Sequence, residues 1–360
     1  MMTRAEDHRL EGQARVVLLQ PAFLGDAVLS TALLESWHRA FPEHRLSIVV
    51  RDAAAGLFQD HPFLEAVHAW DRSGWQKYLR LFTVGQKVRS SGPDVVINLH
   101  RFASMAWLAK MSGAANLTGF EGAGNWHAQR TRLVAHSIGD GRHETERNHA
   151  QAAHFLGEWD PKVDRPRLYP TSQHQAEAMS WPSDALVLAP ASVWATKRWP
   201  ENRWSELADR WAEEQADQAV ILMGGKGDQE LLHRIAGACK QAQPLVCAGN
   251  LDLLGAAALM AQSALVVSND SAPLHMAGAV GTPVVGVFCS TTPRFGFGVL
   301  PAMKAEGQAV EVEVGESDLD CKPCGLHGHT ACPKRHYRCG NEVEVGHVIA
   351  AMKAVSSPRD

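Results

Sequence analysis

No stretch of this chain stays apolar for anything near the ~20 residues that a membrane-spanning helix requires, so no transmembrane segment is expected. A basic excess is missing too. The 35 lysines and arginines face 39 aspartates and glutamates, for a net charge of −4. The broad electrostatic footprint of a nucleic-acid binder is therefore lacking, and no nucleic-acid partner is expected. The opening residues, MMTRAEDHRLEGQARVV, are polar and charged, unlike a secretory leader, so a cytoplasmic protein is expected. There is no short-period repeat and no long low-complexity tract. The GK[ST] ending of a Walker loop is absent, and so is GxGxxG.

What is present is apolar and alternating. With 360 residues, 45% of them hydrophobic, the chain exceeds one ordinary core and fits two domains. Short apolar runs mark strands at Val16–Gln20, Leu46–Val50, Val67–Trp70, Asp94–Leu99, Ala185–Ala189, Ala219–Met223, Leu265–Ser268 and Val284–Phe288. Between many of them lie segments of helical spacing, such as Ala27–Phe41 and Trp204–Gln215. Strand–helix alternation with unbroken Val, Ile and Leu runs predicts an α/β protein with buried parallel sheets. The series occurs twice, around a proline-rich polar stretch at residues 166–184 that reads as a linker. Two doubly wound domains leave a cleft, and ligands of such sheets sit beyond the carboxyl ends of the strands.

Residues that follow strands are therefore the candidates. Asp26, in PAFLGDAVL, lies between a strand and a helix. It can act as the helix N-cap, as a base toward a substrate hydroxyl, or as both. After Ala185–Ala189 comes a loop with Ser192, Thr196, Lys197 and Arg198, which is either a phosphate clamp ahead of a helix or a solvated basic pair. Trp199 and Trp204 read as packing for that loop and helix. Gly224-Gly225-Lys226-Gly227-Asp228 follows the next strand, and Asp228 can cap a helix or hold a ribose hydroxyl. Asn269-Asp270-Ser271 ends another strand and opens a helix carrying His275. That gathers small polar groups at one helix N-terminus, suited either to an anion or to plain capping.

Taken together, LGDAVLSTALLESW, KRWP at 197–200 and NDSAPLHMAGAVGTPVVGVF at 269–288 resemble glycosyltransferase family 9, the ADP-heptose:lipopolysaccharide heptosyltransferases. The resemblance implies a GT-B fold, with two Rossmann-like domains facing a cleft. Residues 1–170 would bind the acceptor and 180–340 the nucleotide sugar, with a closing helix and tail at 341–360. It implies inverting, metal-independent transfer of heptose from ADP-heptose to an inner-core sugar of lipopolysaccharide or its lipid A precursor. Asp26 would be the base. Lys197 would neutralise the diphosphate, and Asn269, Asp270, Ser271 and His275 would line the donor site. Ser192 and Asp228 match as a phosphate and a nucleoside contact. His100 and Arg101 follow the strand DVVINL near the expected acceptor site, and Arg130 and Arg132 could meet an anionic acceptor. Ala272 stands where many relatives have glycine. Peripheral contact with the inner face of the inner membrane would need no spanning helix.

Cys321, Cys324, Cys332 and Cys339 give C-x2-C-x7-C-x6-C, in a region that a subset of family 9 shares. Four thiolates at short spacing suit structural zinc, with His327, His329 and His336 as alternative ligands; a reduced, metal-free loop is the competing reading. Cys239, Cys247 and Cys289 read as core side chains. Two other functions stay open. One is a GT-B enzyme with another nucleotide sugar or a protein acceptor. The other is a non-catalytic nucleotide-sugar-binding or scaffold protein.

Overall fold

The run RVVLLQ is buried at every position but its first, which only a strand covered on both faces allows. The computed structural model, which describes residues 10, 12–122, 131–300, 309–313 and 319–356, places β1 (Arg15–Gln20) between two parallel neighbours. These are β2 (Arg45–Arg51) and β4 (Val95–Asn98). β3 (Leu64–Trp70), β5 (Asn116–Phe120) and β6 (Thr131–Val134) complete a sheet of order β3-β2-β1-β4-β5-β6. The second sheet holds β7 (Leu186–Ala189), β8 (Val220–Gly224), β9 (Leu245–Ala248), β10 (Leu265–Asn269), β11 (Val284–Phe288) and β12 (Ala309–Glu313). Its order is β12-β11-β10-β7-β8-β9, the same winding read from the other edge.

The chain divides into two compact units. The first comprises Met1–His136 and Thr145–Asp164, the second Ser137–Glu144 and Arg165–Asp360. The expected linker is not loose throughout, because Ser172–Ala178 forms a helix opened by Thr171. Gln262 Nε2 donates to the Ala178 carbonyl at 2.8 Å and ties that helix into the second unit.

Alternate strand residues face each helix layer. In the first unit Val17, Leu19, Val49 and Val96 meet Leu81, Val84 and Val88 of helix Lys77–Ser90, and Met105 and Leu108 of helix Ala103–Ser112. In the second, Leu186, Leu188, Val267, Val285 and Val287 meet Trp204 and Leu207 of helix Glu201–Glu214 and Val348 and Met352 of helix Val345–Ser356. Each such side chain contributes roughly 1.5–3 kcal/mol on burial. Trp199 and Trp204 do pack as expected, edge to face at 5.2 Å. Their indole N–H groups donate to the carbonyls of Val343 and Trp199 at 3.0 and 3.2 Å. Cys247 and Cys289 are core residues, and burial pushes their thiols up to about 11 and about 12. Cys239 is half-buried. Among the described residues no helix is long and apolar enough to cross a membrane.

Several histidines are held neutral by the same packing. Burial lowers His61, His100 and His275 to about 4. The unfolded chain protonates these rings near pH 6.5, the folded chain only near 4, so the unfolded state binds more protons in between. Stability is therefore complete above about pH 6.5 and falls as the pH drops toward 4. The fully buried His275 alone accounts for about 3 kcal/mol of that loss. The urea midpoint should fall steadily from pH 7 to pH 5; a constant midpoint would show that these rings charge freely in the native state.

Candidate active site

In the second unit, the ends of β7, β8, β10 and β11 each deliver polar groups. β10 ends at Asn269, which has no exposed surface. Its Oδ1 accepts the Trp199 backbone N–H at 3.0 Å, and its Nδ2 donates to the Pro190 carbonyl at 2.7 Å. The amide thus closes the loop that follows β7. This closure carries Lys197 inward, where its Nζ lies 2.6 Å from Asp270 Oδ2. Thr291 Oγ1, just beyond β11, donates to the same carboxylate oxygen at 2.6 Å. Lys197 is not a solvated basic residue: its side chain keeps 14% of its exposure and that of Asp270 7%. Arg198 turns away, its Nε donating to the Ser192 carbonyl at 2.7 Å.

Ser271 is the N-cap of helix Ala272–Val280, with Ala272 and Pro273 in its first turn. Pro273 has no N–H and the Leu274 N–H donates to the Ser271 carbonyl at 3.1 Å, so the Ala272 N–H is left to present the positive end of the helix dipole. His275 is buried one turn in, and burial together with the Lys197 charge outweighs Asp270 to keep its ring neutral. At the end of β8, Asp228 Oδ2 accepts the Gly225 N–H at 2.9 Å, which shapes the glycine turn. Gly249, at φ +71°, packs against that turn; a Cβ there would lie 2.8 Å from the Lys226 backbone.

In the first unit, Asp26 is not the N-cap. Helix Leu24–Ala40 starts earlier than the sequence suggests, Phe23 occupies the cap position, and Asp26 is the third helical residue. Its Oδ2 reaches back to accept the Phe23 N–H at 3.1 Å. This is the acidic half of a capping box without the hydroxyl half. His100 and Arg101 do follow β4. The His100 ring takes the Phe102 N–H on Nδ1 at 3.3 Å, so the neutral ring carries its proton on Nε2. Arg101 is exposed. Arg130 lies outside the described residues.

Two cations escaped the sequence reading, although they obey its own strand-end rule. Arg51 closes β2 and lies over the Phe23 ring at 5.5 Å. Arg72, two residues past β3, donates to the Pro21 carbonyl at 3.2 Å and lies over Trp70 at 5.3 Å. Burial, and then the Arg51 charge, lower Arg72; Arg72 and Arg101 in turn add to the lowering of His100. Arg72 is thus in electrostatic reach of both Arg51 and His100, and His100 of Arg101, at the ends of β2, β3 and β4 on either side of β1.

The cysteine segment departs from expectation. Cys321, Cys324, Cys332 and Cys339 line one cavity of about 20 Å³. Yet among the described residues no three Cys, His, Asp or Glu side chains are grouped to hold a metal ion. The expected four-thiolate zinc centre is not assembled, because the sulfurs have other surroundings. Cys339 joins the core of the second unit. Burial raises the Cys332 thiol, but the N–H groups of Tyr337, Lys334, His336 and Arg335 outweigh it and lower it overall. Cys321 Sγ lies 3.7 Å from His336 Nε2.

What the segment does is brace the Lys197 loop. Thr196 Oγ1 accepts from the His329 N–H at 2.8 Å and from Ser290 Oγ at 3.0 Å. The Tyr337 hydroxyl donates to the Thr196 carbonyl at 3.2 Å and also to that of Arg198. Gly328, at φ +78°, lies flat on this loop; a Cβ there would come 2.9 Å from Thr196 Oγ1 and 3.3 Å from Lys197 Cγ.

The model of the family described as glycosyltransferase family 9 (heptosyltransferase) matches residues 81–318. Lipopolysaccharide heptosyltransferase 1 of Pseudomonas aeruginosa is 27% identical over 321 residues, covering 86% of this chain and 86% of that protein. The glycosyl transferase family 9 structure from Veillonella parvula superposes with a TM-score of 0.81 at 22% identity, over 95% of this chain and 97% of that one. The Escherichia coli heptosyltransferase WaaC, solved with ADP, gives 0.71 at 18%, over 95% and 99%. The shared fold is the GT-B architecture of two doubly wound sheets.

The brace is open to test. Gly328→Ala should cost about 1–2 kcal/mol through left-handed strain. Thr196→Val keeps volume but strands the His329 N–H, at a cost of about 1–3 kcal/mol. Both should lower the urea midpoint, and two unchanged midpoints would mean that the cysteine segment does not support the Lys197 loop.

Proposed function

The chain belongs to glycosyltransferase family 9, and we propose that it transfers a heptose from ADP-heptose to an inner-core sugar of lipopolysaccharide, with inversion and without a catalytic metal. The observation that carries this reading is the Lys197–Asp270–Thr291 cluster at the N-terminus of helix Ala272–Val280. A lysine fixed beside a helix N-terminus suits the charge that grows on a departing nucleoside diphosphate. The donor itself is suggested by a relative of the same fold solved with ADP.

In this reading an acceptor hydroxyl oxygen attacks the anomeric carbon as the bond to the diphosphate oxygen breaks. Asp26 takes the hydroxyl proton, and ADP departs with the bonding electron pair. Lys197, Ser271 and the Ala272 amide at the helix N-terminus hold the diphosphate, with Ser192 at its edge, and Asp228 contacts the nucleoside. Asp270 orients Lys197, while His275, kept neutral, packs beneath the sugar site. Asn269, its amide spent on the backbone, positions the loop rather than touching the donor. With Lys197 and a helix dipole supplying positive charge, transfer proceeds without a divalent ion. Arg51, Arg72, His100 and Arg101 bind the anionic groups of the acceptor, a lipopolysaccharide precursor met at the cytoplasmic face of the inner membrane.

Calorimetric titration with ADP-heptose and with ADP-, UDP- and GDP-hexoses tests the donor. Preference for ADP-heptose is expected; preference for another would keep the reaction class and discard the heptose. Asp26→Asn should lower kcat by about 10²–10⁴ while leaving donor affinity within about twofold. Equal turnover would remove Asp26 as the base. Arg72→Ala should raise the KM for the acceptor about tenfold or more with donor affinity unchanged; an unchanged KM would take the arginines out of acceptor binding.

A further inference from the structure

Helix Lys77–Ser90 has two apolar faces, and its core needs only one. Leu81, Val84, Gly85 and Val88 are buried against the first sheet. Tyr78, Leu79 and Phe82 point the other way and are 64%, 63% and 47% exposed. Trp75, on the turn before the helix, is 81% exposed, and Trp107, on helix Ala103–Ser112, is 43% exposed. Positions 75, 78, 79 and 82 follow helical spacing and form one stripe. Trp107 extends the stripe across the neighbouring helix, its ring 6.4 Å from that of Phe82. Single exposed aromatics need no explanation, but a contiguous set does.

The stripe rests on a firm base. The Trp70 indole donates to the Lys77 carbonyl at 2.9 Å, and Arg80 Nε donates to the Asp71 carbonyl at 3.1 Å. Charge separates this face from the rest of the chain. Across both helices the charged residues are Lys77, Arg80, Lys87, Arg89 and Lys110, with no carboxylate among them, in a protein whose net charge is −4; Arg80 pairs with Asp71, ahead of the helix, at 3.4 Å, so the basic balance of the face rests on the other four.

We propose that this face docks on the surface of an anionic phospholipid bilayer. Tryptophan and tyrosine rings settle at headgroup depth. Leucine and phenylalanine reach below it, and lysine and arginine extend along them to lipid phosphates. A second copy of the chain fits poorly, because a two-fold contact would press the same cations against one another. The proposal names the surface for the membrane contact inferred above and in that sense rests on it. Vesicle binding requires neither donor nor acceptor, so its failure leaves the transfer reaction standing.

The experiment is co-sedimentation of the full chain with vesicles of phosphatidylethanolamine and phosphatidylglycerol, against vesicles of phosphatidylcholine alone. Wild type should pellet with the anionic vesicles and be released at about 1 M salt, where charges are screened within ~3 Å. Trp75→Ser/Tyr78→Ser/Phe82→Ser should bind at least about tenfold more weakly with an unchanged melting temperature, since no core residue is altered. Lys77→Gln/Lys87→Gln/Lys110→Gln, which leaves every apolar residue in place, should weaken binding to the anionic vesicles alone. Wild type staying in the supernatant would overturn the proposal. So would undiminished binding by either variant, or a wild-type dimer that the serine variant converts to monomer.

Discussion

Asn269 spends its whole side chain on the backbone of a distant loop, and the second unit's candidate chemistry depends on that bridge. The amide is fully buried, so losing either partner would leave a polar group unpaired at about 1–3 kcal/mol. Its two bonds join the end of β10 to both ends of the loop after β7. Lys197 lies within that loop and Asp270 directly follows the amide, so one buried group brings the ion pair into register. The cysteine segment then closes the same loop from outside, through Thr196 and Tyr337. A cation meant for an anionic ligand must be held still before the ligand arrives, and both devices serve that end.

The ion pair is expensive to bury and is not there for stability. Two mostly desolvated charges recover through mutual attraction about what they lose in hydration. Thr291 supplies one further hydrogen bond, and the neutral ring of His275 avoids placing a second positive charge beside Lys197. The pair carries no net charge, so attraction for an anion must come from Lys197's remaining N–H bonds and the adjoining helix terminus.

The sequence disclosed most clearly what is buried on both faces. All eight expected strands exist, because β1, β2, β7, β10 and β11 are unbroken apolar runs. The strands not foreseen are β5, β6, β9 and β12; β6, β9 and β12 are sheet edges with mixed burial, and β5 lies next to the edge strand β6. In β5, Asn116 and Gly119 break the pattern; in β6 only Leu133 and Val134 are apolar, and in β12 glutamates alternate with valines. At the site, chain order showed which residues follow strands but not which distant partner each would meet. That Lys197 pairs with Asp270, or that Asn269 faces inward, depends on strand order, which periodicity does not supply. Asp26 was misjudged as a cap because the helix begins with Leu24-Gly25, neither of which announces a start. Of the two readings open for the thiols, the four-thiolate site is not assembled among the described residues, because spacing describes reach, whereas Cys339 is claimed by the core and Cys332 by a turn of backbone N–H groups.

The same winding is built twice, yet the strand ends of the two units are charged differently. In the second unit Lys197 meets a carboxylate. In the first, Arg72 lies in reach of Arg51 and of His100, and His100 in reach of Arg101; burial first, and then these neighbouring cations, lower the proton affinity of Arg72 and His100. Neighbouring like charges cost stability in the empty protein, and an anion lying among them relieves that cost. The first unit is therefore the half suited to a ligand with several negative charges, and the second to one whose charge a lysine and a helix dipole can meet. Helices Lys77–Ser90 and Ala103–Ser112, which carry the aromatic and basic face, are the helices that follow β3 and β4. Arg72 and Arg101 lie in the turns that begin those same crossings. In the proposed reading, attraction for an anionic surface and for an anionic acceptor would arise from the same two strand–helix units, so a ligand embedded in such a surface would meet the arginines without leaving it.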